Sequence, residues 1–290
     1  MRRGLPVLGD DAFCDMLEGE DIPNEQARPN SVTVKLANIR YHNEVAEDYE
    51  GSCSAFHVYR SACQRRIADT LSKAAARSSG VLLDVCCGTG NVMDKARPYF
   101  QHILGVDISL NMLRLAQKKG LPVLAADAFN LPLREESVDC VTAFSALHHL
   151  YDYNSVIKDM ARVLKPGGTL YTDWDPNRKM RSGWLFPAVV AAWKMMSRLG
   201  TEKGSTETGF QSMAEFHHFS ETGINSALIE ETLRAEGFRQ ARLIYHPNPA
   251  SFDSQAWGLY GFIGAALKCL SFVRPTRENA MPWLAILAVK

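Results

Sequence analysis

The run Val81-Leu82-Leu83-Asp84-Val85-Cys86-Cys87-Gly88-Thr89-Gly90-Asn91 constrains this chain more than any other stretch. An apolar segment entered from Gly80 and left through a turn of small residues predicts a buried parallel strand feeding a tight loop. Gly88 and Gly90 carry no Cβ, so backbone N–H groups there can approach a ligand, and a helix opening near Asn91 aims its positive end at the same point. That is a cradle of the nucleotide-binding type. The dinucleotide spacing G-x-G-x-x-G falls on Cys86, Gly88 and Asn91, or on Gly88, Gly90 and Met93; neither placement completes it, which disfavours NAD.

Two more carboxylates end predicted strands downstream. His102 to Asp107 reads as a second strand with Asp107 at its carboxyl end, followed by an N-cap at Ser109, an apolar face of Met112, Leu113 and Ala116, and a C-cap stop at Gly120. Pro122 to Asp127 reads as a third strand, again ending in an acid. Val138 to Phe144 is the fourth strand, and the run Ser145 to Leu150 leaves its carboxyl end, where open α/β sheets place ligands. Asp107 can accept both hydroxyls of a ribose, and Asp127 can accept from an exocyclic adenine amine, with Ile108, Ala128 and Leu131 able to cover the base. The dinucleotide fingerprint specifies a single ribose carboxylate, so the third acid argues further against a dehydrogenase.

Taken in order, the strand ends resemble the class I S-adenosylmethionine-dependent methyltransferases. The resemblance rests on Asp84, Cys86, Gly88 and Gly90, then Asp107, then Asp127, then Lys165-Pro166-Gly167-Gly168 after the next helix. It departs at Cys86, where the family more often has glycine. It implies an α/β fold with a doubly wound, mostly parallel seven-stranded sheet closed by a C-terminal antiparallel hairpin (240–246 and 283–289), plus helical insertions. It also implies S-adenosylmethionine as methyl donor, held by Asp84, Cys86, Gly88, Gly90, Asp107, Ile108, Asp127, Ala128 and Phe144. An aromatic residue from an N-terminal segment would close over it, Tyr49 ahead of Tyr41. The Asp-Val-Cys-Cys-Gly-Thr-Gly form and the Leu-His-His-Leu run look like the small-molecule branch, which includes quinone and natural-product methyltransferases.

The acceptor half is less legible. His148 or His149 could act as a base, against a packing role for a Leu-His-His-Leu run that the family pairs with quite different acceptors; Asp173 and Asp175, near the end of the fifth strand, are further base candidates. His148 and Asp173 are carried forward as the candidate catalytic pair. A methyl on a sulfonium is already activated, so alignment carries much of the rate and a base is needed only if the acceptor must lose a proton.

Length and composition bound the rest. The 290 residues fit a flexible arm at 1–36 and one domain at 37–290, interrupted by apolar helical insertions at about 176–219 and 247–282. These read as lids, packing helices or a dimer contact. Formal charge sums to zero, which leaves no chain-wide footprint for nucleic acid. The seven cysteines, an odd number without zinc-ligand spacing, give a reduced, cytoplasmic pattern and no metal. No secretory apolar core follows Met1-Arg2-Arg3. Lys268 interrupts the most apolar stretch, 257–273, so membrane contact is expected to be peripheral at most. The alternatives are a methyltransferase acting on RNA or protein, or a non-catalytic S-adenosylmethionine-binding protein. No Asn-Pro-Pro-Tyr-like motif follows the fourth strand, which disfavours transfer to a base amine.

Overall fold

The computed structural model describes residues 29–49, 61–181, 213–219, 223–246 and 283–290. Of the expected helical insertions, most of 176–219 and all of 247–282 lie outside them.

Seven strands form one sheet: β1 (Val81–Val85), β2 (His102–Asp107), β3 (Val123–Ala125), β4 (Val138–Phe144), β5 (Leu164–Pro176), β6 (Gln240–His246) and β7 (Trp283–Val289), in the order β3-β2-β1-β4-β5-β7-β6. The first five run parallel, and β7 lies antiparallel to both β5 and β6. This is the doubly wound sheet with a closing antiparallel hairpin that the motif order implies. Strand order reverses between β1 and β4, so the loops after β1, β2 and β4 open on one crevice, where such sheets bind ligands.

Central strands are apolar on both faces because helices cover both. Leu82, Leu83, Val85, Val138, Val141 and Ala143 are all buried. On one face α5 (Tyr153–Val163) contributes Val156, Ile157 and Met160 to the main core, joined by Ile229 and Leu233 of α8 (Ser226–Ala235). On the other, α2 (Ser61–Ala75) brings Ile67, Leu71 and Ala74 against Leu82, Val92 and Ala96, the last two from α3 (Asn91–Ala96). This is the i, i+4, i+7 face that the spacing predicts.

Two boundaries differ from the sequence reading. Helix α1 spans Ser31–Val45, so an arm drawn to residue 36 ends inside a helix. The reason is local: Asn30 Oδ1 accepts from the Val32 and Thr33 amides while Thr33 Oγ1 accepts from the Asn30 amide, a reciprocal cap that starts the helix. The motif Lys165-Pro166-Gly167-Gly168 reads in sequence as a helix stop at Pro166 and a turn into the fifth strand. It lies within β5, because the helix ends at Val163, and Gly167 and Gly168 pair with the chain end through Gly167 N–H to Lys290 O and Lys290 N–H to Gly168 O. The strand then runs past Asp173 to Pro176.

Candidate active site

The loop after β1 is shaped by left-handed backbone. Cys86, Gly88 and Gly90 have φ of +56°, +52° and +84°. At Gly90 the φ of +84° favours glycine, and a Cβ there would lie 2.2 Å from Leu121 Cδ1, so that side chain would have to move. A Cβ on Gly88 would meet nothing within 4 Å, because the space before it is a cavity. Cys86 takes the same handedness with a side chain, at a conformational cost of about 1–2 kcal/mol, and its thiol forms part of the cavity wall. Burial, with Asp107, Asp84 and other acids nearby, raises its pKa well above the usual thiol range, so it is an uncharged wall.

Asp107 holds this loop. Its Oδ2 accepts from the Gly88 amide at 2.8 Å and its Oδ1 from the Ser109 amide at 2.8 Å. Each carboxylate oxygen retains a second lone pair for a ligand hydroxyl. Asp127, two residues beyond β3, accepts from the Phe129 amide at 3.0 Å and pairs with Lys35 at 2.6 Å. Asp84 is 1% exposed and takes a 2.6 Å bond from Thr142 Oγ1. Burial first, with the Asp107 charge adding and the Thr142 bond opposing, pushes its pKa up to about 7. A carboxyl poised in this way welcomes a cationic ligand group.

The cavity is a cleft open to solvent at its mouth. It brings together Asp84, Cys86, Gly88, Asp107, Ile108, Asp127, Ala128, Phe144 and Tyr49, nine of the ten expected cofactor positions. Gly90 is outside the wall and serves the turn. Tyr41 is also outside; its ring stands edge-on to His42.

The two candidate catalytic residues, His148 and Asp173, lie outside the cavity wall. Asp173 has no exposed surface. Arg66 reaches both its oxygens at 3.0 Å, Tyr171 Oη donates at 2.6 Å, His246 Nε2 lies at 2.9 Å, and the Trp174 amide donates at 2.7 Å. It is a buried ionic hub, because β5 extends past it and encloses it. His148 is buried, and its Nδ1 and backbone amide both lie against Asp175 Oδ1, at 3.0 and 3.1 Å. Neither belongs to the cavity wall, whereas His149 does. The short 3-10 turn at Leu147–His149 turns the two neighbouring imidazoles to different surroundings.

Several wall residues were not anticipated: Lys35, Asn38 and His42 from α1, and Phe129 and Tyr151 from loops. Helix α1 docks beside Asp107 through Asn43, whose Oδ1 accepts from Ser109 Oγ and the Asn111 amide and whose carbonyl accepts from Asn111 Nδ2. The Asn30/Thr33 pair was the readable signal that a helix starts there.

S-adenosylmethionine fits these residues: paired carboxylates stand at adjacent strand ends, an amide-lined turn has open space before Gly88, and Asp84 is ready for a positive group.

Residues 83–172 match the family described as "Methyltransferase domain". Over 101 residues the chain is 41% identical to a tRNA (carboxymethyluridine(34)-5-O)-methyltransferase of Arabidopsis thaliana, a match covering 33% of this chain and 24% of that protein. Over 102 residues it is 36% identical to a demethylmenaquinone methyltransferase of Staphylococcus saprophyticus, covering 32% and 44%. The chain thus spans less than half the length of either relative. Among solved structures, a Haemonchus contortus phosphoethanolamine N-methyltransferase 2 superimposes with TM-score 0.54 at 16% identity, covering 88% of this chain and 58% of that one. An Archaeoglobus fulgidus S-adenosylmethionine-dependent methyltransferase gives 0.53 at 16% identity, covering 86% and 100%. These two likenesses establish the fold, and residues 83–172, which contain Asp84, the loop, Asp107 and Asp127, match a methyltransferase domain.

Proposed function

We infer that the protein transfers a methyl group from S-adenosylmethionine to a small, partly apolar acceptor. The observation that carries this reading is the convergence of Asp84, Asp107 and Asp127 on one cavity beside the Gly88 turn. Bound there, S-adenosylmethionine would supply a methyl already activated by positively charged sulfur. Asp107 would take the ribose hydroxyls while keeping the loop in place, and Asp127 the adenine amine, between Ile108, Ala128 and Phe129. Asp84, Cys86 and Phe144 would line the end where the methionine portion lies. Tyr49, with His42 beside it at 6.3 Å between ring centroids, would close the wall from the N-terminal side and exclude water. Orientation in such an enclosure supplies on the order of 7–11 kcal/mol.

The chemistry of the wall supports a small acceptor: beyond the three acids it is mostly aromatic and aliphatic, with Phe129, Phe144, Leu150 and Tyr151 prominent. Cytoplasmic residence is the matching proposal from cysteine usage. Among the described residues no helix is long and apolar enough to cross a membrane, and no group of three or more His, Cys, Asp or Glu could hold a metal.

Incubation of the full chain with methyl-labelled S-adenosylmethionine and a cell extract tests the reading. Label in an extractable small molecule is expected. Tight cofactor binding with no labelled product of any kind would favour a non-catalytic binding protein. A second reading, methylation of RNA, is favoured by the plant relative's similarity over 101 residues and predicts label in the nucleic-acid fraction.

A further inference from the structure

We propose that His149 takes the proton from a hydroxyl group of the acceptor as the methyl is transferred to that oxygen. This rests on the methyltransferase reading and names the acceptor class: a molecule with an acidic hydroxyl, such as a phenol or enol.

The neutral tautomer of His149 is fixed by its neighbour. His149 Nδ1 lies 2.9 Å from the carbonyl oxygen of Ala214, which can only accept, so Nδ1 carries the proton and Nε2 the lone pair. Nε2 has no hydrogen-bond partner among the described residues, and the ring is part of the cavity wall. Packing fixes the ring, with the His148 centroid at 4.1 Å and the His42 centroid edge-on at 4.9 Å.

Asn38 supplies a second observation in the same wall. It is 8% exposed, and its Nδ2 donates to the carbonyls of Val34 and His149, both at 2.8 Å. With both amide hydrogens committed, the orientation of the amide is settled, and Oδ1 is left buried without a donor. A buried acceptor without a donor is costly, and a ligand bringing an O–H or N–H would relieve it. His149 Nε2 and Asn38 Oδ1 thus both accept hydrogen bonds, which suits a protic acceptor better than a thioether or carbon centre.

The imidazole is also kept neutral. Burial, then the neighbouring His148 and His42, hold its pKa well below the usual histidine range, while Glu215 and the Ala214 carbonyl push the other way more weakly. In the transfer, a lone pair of the acceptor oxygen forms the new O–CH3 bond as the S–CH3 bond breaks and its electron pair stays on sulfur. The hydroxyl proton passes to Nε2, and the imidazolium later returns it to water.

Two measurements on the full chain test this. Histidine nitrogen NMR should find the neutral His149 ring protonated on Nδ1, with the lone pair on Nε2; a neutral ring protonated on Nε2 overturns the proposal. With methyl-labelled S-adenosylmethionine and catechol, butylamine or butanethiol as acceptors, the expected product is the catechol methyl ether. His149→Gln should lower its rate about 10²-fold or more, with S-adenosylhomocysteine affinity and thermal unfolding unchanged. An ether formed equally well by His149→Gln, or product only from the amine or thiol, overturns the proton-acceptor role and leaves the methyltransferase reading intact. No label in any acceptor or extract strikes that reading instead, and the NMR result then decides the state of His149 by itself.

Discussion

Lys35 Nζ lies 2.6 Å from Asp127 Oδ2, joining helix α1 to the tip of the third strand across the cavity. The same lysine sits 5.8 Å from the centroid of Phe129, beside the position proposed for adenine. The pair therefore occupies a carboxylate oxygen that a bound adenine amine would use. Both side chains are about one-third exposed, so the pair is worth no more than about 1 kcal/mol. Lys35→Met keeps the aliphatic stem and removes the competitor. S-adenosylhomocysteine binding by calorimetry is expected to tighten by up to about fivefold; weaker binding would mean that Lys35 itself holds the ligand.

Asp107 and Asp127 should not be equivalent. Asp107→Ala would lose the proposed ribose contact and also releases the Gly88 amide, whereas Asp127→Ala would lose a proposed adenine contact whose carboxylate already pairs with Lys35. With charge-assisted bonds worth about 1.5–3 kcal/mol, Asp107→Ala is expected to weaken cofactor binding by tenfold to a hundredfold or more, and Asp127→Ala by less. Wild-type affinity in both would remove the cofactor assignment.

Asp84 couples proton release to binding. Its pKa of about 7 lies above its ordinary 3.8, so the native protein holds a proton that the unfolded chain has lost over that range. The sign follows: this contribution is full below about pH 4 and disappears as pH rises towards 7, a total of about 4 kcal/mol. Asp84→Asn, which still offers an oxygen to Thr142, should flatten that limb of the stability curve in urea titrations. A cationic ligand group lowers the pKa, so wild-type cofactor binding at pH 7 should release a fraction of a proton. Calorimetry in buffers of different ionisation enthalpy would detect this release, which Asp84→Asn should abolish.

Asp173 should prove to be a stability residue. Removing it leaves Arg66 without its carboxylate partner and strips His246 and Tyr171 of theirs. Breaking a buried ionic partner costs about 3–5 kcal/mol, so Asp173→Ala is expected to shift the urea midpoint sharply. The folded fraction should still bind S-adenosylhomocysteine. A variant of normal stability that binds cofactor and fails only in turnover would return Asp173 to the chemistry.

Much of the donor site was legible because its signals are local in sequence. Glycine at a left-handed turn, an acid closing each of two short apolar runs, and Ser109 capping the next helix all lie within a few residues of one another. The β1, β2 and β4 strands read clearly because helices cover both faces and keep them largely apolar. Helix α1 was harder: its apolar positions are few, and its burial comes from docking Asn43 on Ser109 and Asn111, contacts 66 and 68 residues away.

The sequence alone determined the strand order's likeness to a methyltransferase sheet, the turn at Gly88 and Gly90, and the three acids that converge. Periodicity and turn chemistry are short-range properties, and they specify the backbone at each strand end. Tertiary structure decided what each side chain faces. One residue separates His148 from His149, yet a 3-10 turn gives the first to Asp175 and the second to the cavity. Likewise, the length of β5 buried Asp173 between Arg66 and His246, which lie 107 and 73 residues from it in the chain. Partners at such separations are set by how the sheet and helices pack, and no local pattern records them.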